Sequence, residues 1–199
     1  MNFYQIFLPS FTLVFLLQVF LIRSYVQWKK TGVNPFVFGG SDSALDYVGF
    51  VYKMMIVATW VGIIFFSFSP QYYQYILPVN YLEYDVLKVT GTCLTLISFI
   101  WIIISQYHMS NSWRIGINYD EETNLITSGV FGYSRNPMFL GVLVCYLGNF
   151  FIAPNALTLI ILSITYVVLQ IQVRLEEDHL EQTHGDEYSK YKSKVRRWI

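Results

Sequence analysis

Two stretches of this chain hold side chains that could do chemistry, Arg114–Phe139 and the tail after Gln172. In the first, Arg135 stands immediately before Asn136-Pro137. Proline suits the first turn of a helix and asparagine its cap, so this tripeptide marks a helix N-terminus. A guanidinium beside the free N–H groups of such a terminus makes a site for a carboxylate or phosphate. In the second stretch, Glu176 and Glu177 are adjacent, and neighbours on a helix point in different directions. At least one should face the protein, there to pair with Arg174 or with a ligand carrying an ammonium or sulfonium. Anion-binding and cation-binding groups on one face would suit a zwitterion with a second positive centre.

These residues must be positioned by membrane helices. The composition is 54% hydrophobic and 13% charged with a mean hydropathy of +0.42, against roughly a quarter charged in soluble domains. The expectation is an all-α polytopic membrane protein with about five transmembrane helices and a cytosolic C-terminal helical tail. Its apolar runs are Phe3–Ile22, Tyr47–Phe68, Val86–Gln106, Pro137–Phe151 and Ala156–Ile171, the fourth short for a full crossing. Ala153-Pro154-Asn155 is a tight joint that makes the last two an antiparallel hairpin. The length of 199 residues suits a single membrane domain, with N-terminal spans over 1–106 and the loop, hairpin and tail over 107–199. Thr31–Asp46 reads as a surface loop, and the Tyr-rich connector after Pro70 as an interfacial aromatic belt. Past the membrane the last helix should break at Gly185 and resume as an amphipathic helix, whose cluster Lys190–Arg197 suits anionic lipid head groups.

Orientation follows from counting cations. With the N-terminus outside, the inner segments hold Arg23, Lys29, Lys30, Arg114, Arg135, Arg174, Lys190, Lys192, Lys194, Arg196 and Arg197, which is 11 of the 13 Lys and Arg. Lys53 and Lys88 lie at span edges, where their stems can snorkel. The formal net charge of zero gives no footprint for nucleic acid. Cys93 and Cys145 sit in apolar runs without metal-ligand spacing, so neither a metal site nor a disulfide is expected. His108, His179 and His184 read as interfacial or solvated. No nucleophilic triad and no GxGxxG motif is present.

The pattern Leu125-Ile126-x-x-Gly129-Val130-Phe131-x-x-x-Arg135-Asn136-Pro137-Met138-Phe139-x-Gly141, followed after the hairpin by Glu176-Glu177-x-x-Leu180 and Gly185-Asp186-Glu187-Tyr188-x-x-Tyr191, resembles the isoprenylcysteine carboxyl methyltransferases, which are related to phospholipid methyltransferases. The resemblance covers roughly residues 113–197. It implies that S-adenosylmethionine is bound at the cytosolic face and that a lipophilic acceptor is methylated. Thr123, Asn124, Leu125, Ile126 and Phe131 would line the cofactor. Asn136, Pro137, Met138 and Phe139 would contact its amino-acid and sulfonium part, and Glu176 its ammonium. Arg135, supporting that turn, and Asn136 are the expected catalytic pair, while Gln172 and Arg114 are the substrate-side candidates. The family usually has His at Thr123 and at Asn136 and Tyr at Phe139, and the prenylcysteine enzymes carry an Arg at Gln172. Asn136 therefore cannot serve as a titrating base near neutrality, and the group that would meet a prenylcysteine carboxylate is absent from position 172. An NADPH-dependent membrane reductase of the sterol reductase type is the alternative enzyme, and a small transporter or scaffold the non-enzymatic one.

Overall fold

The computed structural model describes residues 1–35, 43–113 and 124–199. Among them the chain is helical and contains no named strand, only an isolated bridge between Pro78 and Asn155. Four helices are long and apolar enough to cross a membrane: α1 (Phe3–Thr31), α2 (Ala44–Phe68), α3 (Asp85–Met109) and α5 (Ala156–Lys194). The shorter α4 (Pro137–Ile152) packs among them. The protein is an all-α polytopic membrane protein.

Local chemistry sets the helix ends. Asn2 and Gln5 form a reciprocal capping box at α1, and Asn155 and Thr158 form another at α5. The Ser43 side chain accepts from the N–H of Asp46 to start α2. Helix α1 outlasts its apolar run by nine residues and stops only at Gly32, whose left-handed φ of 73° caps it. Polar residues past a span thus continue the helix until a breaker intervenes. The same holds for α5, whose one non-helical residue is Gly185, with φ 49° and ψ −120°. The break expected there is present, and helix resumes to Lys194.

Two wide turns are bound by side-chain amides. Leu17–Ile22 in α1 and Ile64–Phe68 in α2 are wound as π-helix, which leaves carbonyls open to other donors. Gln106 of α3 donates from Nε2 to the Val19 carbonyl at 3.0 Å, and Gln5 donates to the Phe66 carbonyl at 3.2 Å. Arg23 adds bonds to the carbonyls of Gln106 and Ser110, with its guanidinium 5.2 Å from the Trp113 ring centre. The N-terminal helix is thereby fixed to α3 at the end of the bundle that carries loop 124–136.

Helices α3 and α4 approach most closely along a glycine seam. A Cβ built on Gly91 would meet the Gly148 carbonyl oxygen at 2.6 Å, and one on Gly148 the Gly91 oxygen at 2.7 Å. Such backbone-to-backbone contact between membrane helices depends on small residues. Gly148→Ala should destabilise the protein by about 1–3 kcal/mol, the range for overpacking a close contact. Thermal unfolding in detergent checks this, and an unchanged midpoint would show that the seam yields.

Candidate functional site

The loop before α4 is shaped by what it touches. Gly129 adopts φ 63° and lies so close to His108 of α3 that a Cβ would meet the imidazole at 2.6 Å. Residues Gly129–Gly132 then form a single 3-10 turn, whose Phe131 carbonyl accepts from the Tyr191 hydroxyl at 2.7 Å. Loop and tail are therefore joined before the ionic contacts are considered.

Those contacts centre on Glu177. Its side chain is 5% exposed and receives two guanidinium groups, Arg135 Nη2 at 2.8 Å and Arg197 Nη2 at 2.7 Å. Arg135 also donates to the carbonyls of Lys192 and Val195, and its backbone N–H to the Arg196 carbonyl. Ser134 Oγ and Asn136 Nδ2 both donate to the Arg197 carbonyl, at 3.3 and 3.2 Å. Hydrogen bonding from Arg197 to Glu177 raises the Arg197 pKa above its ordinary value, so the tail cation is held charged.

This geometry revises several expectations. Arg135 is not a free anion site at the head of α4; its donors are engaged by Glu177 and tail carbonyls. Asn136 stands at the N-cap position, but its side chain reaches the tail instead of capping. Arg174 bonds Gln170, not a glutamate. Within the basic cluster, Arg197 is bound to Glu177 and Lys192 pairs with Glu181 at 2.9 Å, so these two are engaged within the protein. The histidines are half-buried, and His179 lines the cavity described next. Arg114 and Thr123 lie outside the described residues, as does part of the loop Thr31–Asp46.

A cavity of about 600 Å³ opens between the loop and the helices, within the range of small-molecule sites. Asn124, Leu125, Ile126 and Phe131 line it from the loop. Arg135, Asn136, Met138 and Phe139 line it at the start of α4, and Gln172 and Glu176 from α5. The structure thus brings together all the described site candidates except Pro137, which is buried with its carbonyl accepting from Trp101 Nε1 at 2.8 Å. Gln172 is 2% exposed and donates from Nε2 to Glu176 Oε1 at 2.8 Å. Its own Oε1 is buried without a partner, as is Trp113 Nε1 on the same cavity, while the Tyr188 hydroxyl there lies beside Arg135. Burying such atoms unpaired is costly, and a polar ligand would satisfy them.

The opposite wall escaped the sequence reading. Phe11, Thr12, Phe15, Leu16, Val19 and Phe20 of α1 form one side of it, and Gly49, Tyr52, Lys53, Ile56 and Thr59 of α2 the other. The signal that could have found it is a set of polar residues inside apolar runs: Thr12, Tyr52, Lys53 and Thr59, joined by Tyr146 and Asn149 of α4.

Comparison with known proteins matches this architecture to a family. The family model described as phospholipid methyltransferase matches residues 86–187, about half of the chain. Over 110 residues the sequence is 26% identical to the protein-S-isoprenylcysteine O-methyltransferase of Saccharomyces cerevisiae, covering 54% of this chain and 46% of that protein. Over 33 residues it is 54% identical to an uncharacterized protein of Haemophilus influenzae, covering 17% of this chain and 52% of that one. The chain spans about half the length of the curated relatives it matches. The family match runs from the start of α3 through α4 to the residues just past Gly185, taking in the loop, Gln172 and both glutamates. With these elements and their order in place, the chain belongs to the phospholipid methyltransferase family.

Proposed function

We propose that the protein is an integral membrane methyltransferase that moves a methyl group from S-adenosylmethionine to a lipophilic thiol, amine or carboxylate at the cytosolic membrane face. The observation that carries this reading is the convergence of Asn124–Ile126, Phe131, Asn136, Met138, Phe139 and Glu176 on one cavity with unpartnered polar atoms in its wall. Those atoms test the fit. Glu176 supplies a carboxylate for an ammonium. Gln172 Oε1 is an open acceptor, and Trp113 Nε1 is an open donor. A zwitterionic, hydroxylated ligand with a ring to stack uses all three kinds of group, so the residues present fit the cofactor.

When bound, S-adenosylmethionine supplies a methyl group on a sulfonium for in-line displacement, the electrons of the broken carbon–sulfur bond remaining on sulfur. The chain's share is positioning and exclusion of water. Glu176, steadied by Gln172, holds a positive centre on α5. Met138 and Phe139 present an apolar surface at the start of α4. Phe11, Phe15 and Ile56 keep the far side of the cavity dry and accommodate a hydrocarbon chain. The Glu177 clasp keeps the tail across the loop, so that the wall stays assembled. The distribution of Lys and Arg supports a cytosolic placement of this end.

Titration calorimetry on the purified protein tests the reading. S-adenosylhomocysteine should bind with a single site per chain. NADPH should not, because Arg135 is already committed to Glu177 and the tail. Binding of NADPH with no binding of S-adenosylhomocysteine would replace the methyltransferase by the reductase alternative.

A further inference from the structure

The cavity does not end in apolar surface. Thr59 of α2 and Tyr146 and Asn149 of α4 line it, and they also line a second, small void of about 30 Å³. That void reaches Asn155 and Thr158 at the start of α5, so the three shared residues stand at the end of the cavity remote from loop 124–136. Tyr146 and Asn149 are three residues apart and share one face of α4. The Thr59 hydroxyl donates to the Met55 carbonyl at 2.8 Å, and Tyr146 lies beside Thr59. Asn149 is the exception. Its Oδ1 is buried without a hydrogen-bond partner, and among the described residues nothing else bonds its side-chain amide.

What Asn149 awaits follows from its surroundings, and this step rests on the function proposed above. With the methyl donor at Met138 and Phe139, Asn149 lies ten residues beyond Phe139, about 15 Å along α4 at the helical rise. The wall on the way includes Val142 and Cys145, with Phe15, Ile56 and Leu169 from the other helices. A plain hydrocarbon chain reaching that depth leaves the amide oxygen unpaired, which is costly. An ammonium at the chain end would satisfy it but is itself disfavoured in apolar surroundings. A water in the small void needs roughly two to four polar partners. Asn155 and Thr158 are taken up by their capping box and the Thr59 proton by Met55, so a water finds little beyond Asn149. We propose that Asn149 is a specificity-determining residue for the far end of the acceptor, and that the acceptor carries there a neutral hydrogen-bond donor of the hydroxyl class.

The test is equilibrium binding to the full chain in nanodiscs of neutral lipid, each value referenced to empty nanodiscs, with S-adenosylhomocysteine present. The probes are two radiolabelled thioethers without a donor at the head, methyl dodecyl sulfide and its ω-hydroxy counterpart. The hydroxylated probe should bind more tightly by about fivefold or more, the scale of one neutral hydrogen bond. Asn149→Leu, which keeps the side-chain volume, should abolish that preference or reverse it. S-adenosylhomocysteine binding, measured in parallel, should not change in the variant. Equal binding of the two probes by the unmodified protein overturns the proposal whether or not the variant folds, and assigns the amide oxygen to a water. A preference that survives Asn149→Leu also overturns it, placing the hydroxyl elsewhere in the cavity. So does a matching loss of S-adenosylhomocysteine affinity, which would assign Asn149 to the methyl donor. An Asn149-dependent preference in a protein that fails to bind S-adenosylhomocysteine would defeat the methyltransferase reading and support the hydroxyl subsite.

Discussion

Replacing Glu177 by alanine should remove about 3–5 kcal/mol of stability, the cost of breaking a buried ion pair from one side. The carboxylate is 5% exposed and the Arg135 side chain 9% exposed. Without Glu177, Arg135 keeps the carbonyls of Lys192 and Val195 but loses its counter-charge, and a buried guanidinium cannot shed its proton. Both arginines also tie the tail to the loop, so the loss is structural as well as electrostatic. The midpoint of thermal unfolding in detergent should fall accordingly. Arg197→Ala should cost only about 1 kcal/mol or less, because its side chain is 31% exposed and the pair of Glu177 with Arg135 survives. Equal midpoints for Glu177→Ala and the unmodified protein would mean that the clasp adds nothing to the fold.

Glu176→Ala should weaken S-adenosylhomocysteine binding about tenfold or more, as expected when a ligand ammonium loses its carboxylate partner. The neighbouring glutamates make the comparison sharp. Glu176 is half-buried on the cavity and bonded to Gln172, whereas Glu177, which also lines the cavity, is taken up by the two arginines of the clasp. The two variants should therefore separate, Glu177→Ala losing mainly stability and Glu176→Ala mainly affinity. Calorimetry at a temperature where both variants are folded distinguishes them. Unaltered affinity in Glu176→Ala would remove the group on which the cofactor's orientation depends.

The fold was legible because hydrocarbon imposes a simple code: runs of about twenty apolar residues become helices. Where the helices ended was less so. Residues 23–31 are polar yet helical, and only Gly32, which tolerates a positive φ, stops them. The loop and tail candidates reached the cavity because their polarity was anomalous for the membrane. Their partners were another matter. Arg135 stands next to a helix N-terminus in sequence, but the carboxylate that binds it lies 42 positions away and the Val195 carbonyl 60. Adjacency could not reveal this. The wall from α1 and α2 stayed hidden for a different reason. Helices that are apolar on every side give periodicity no face to report.

The two walls of the cavity differ in their relation to the family. The loop, Gln172 and Glu176 fall within residues 86–187, whereas the α1 and α2 side chains opposite fall outside them. On the function proposed here, handling of the methyl donor is built into one half of the molecule and, Asn149 apart, choice of the acceptor into the other. Exchange of the first helical hairpin between homologues would then transplant substrate preference while leaving the transfer chemistry in place, so the protein divides naturally into a constant engine and a replaceable adaptor.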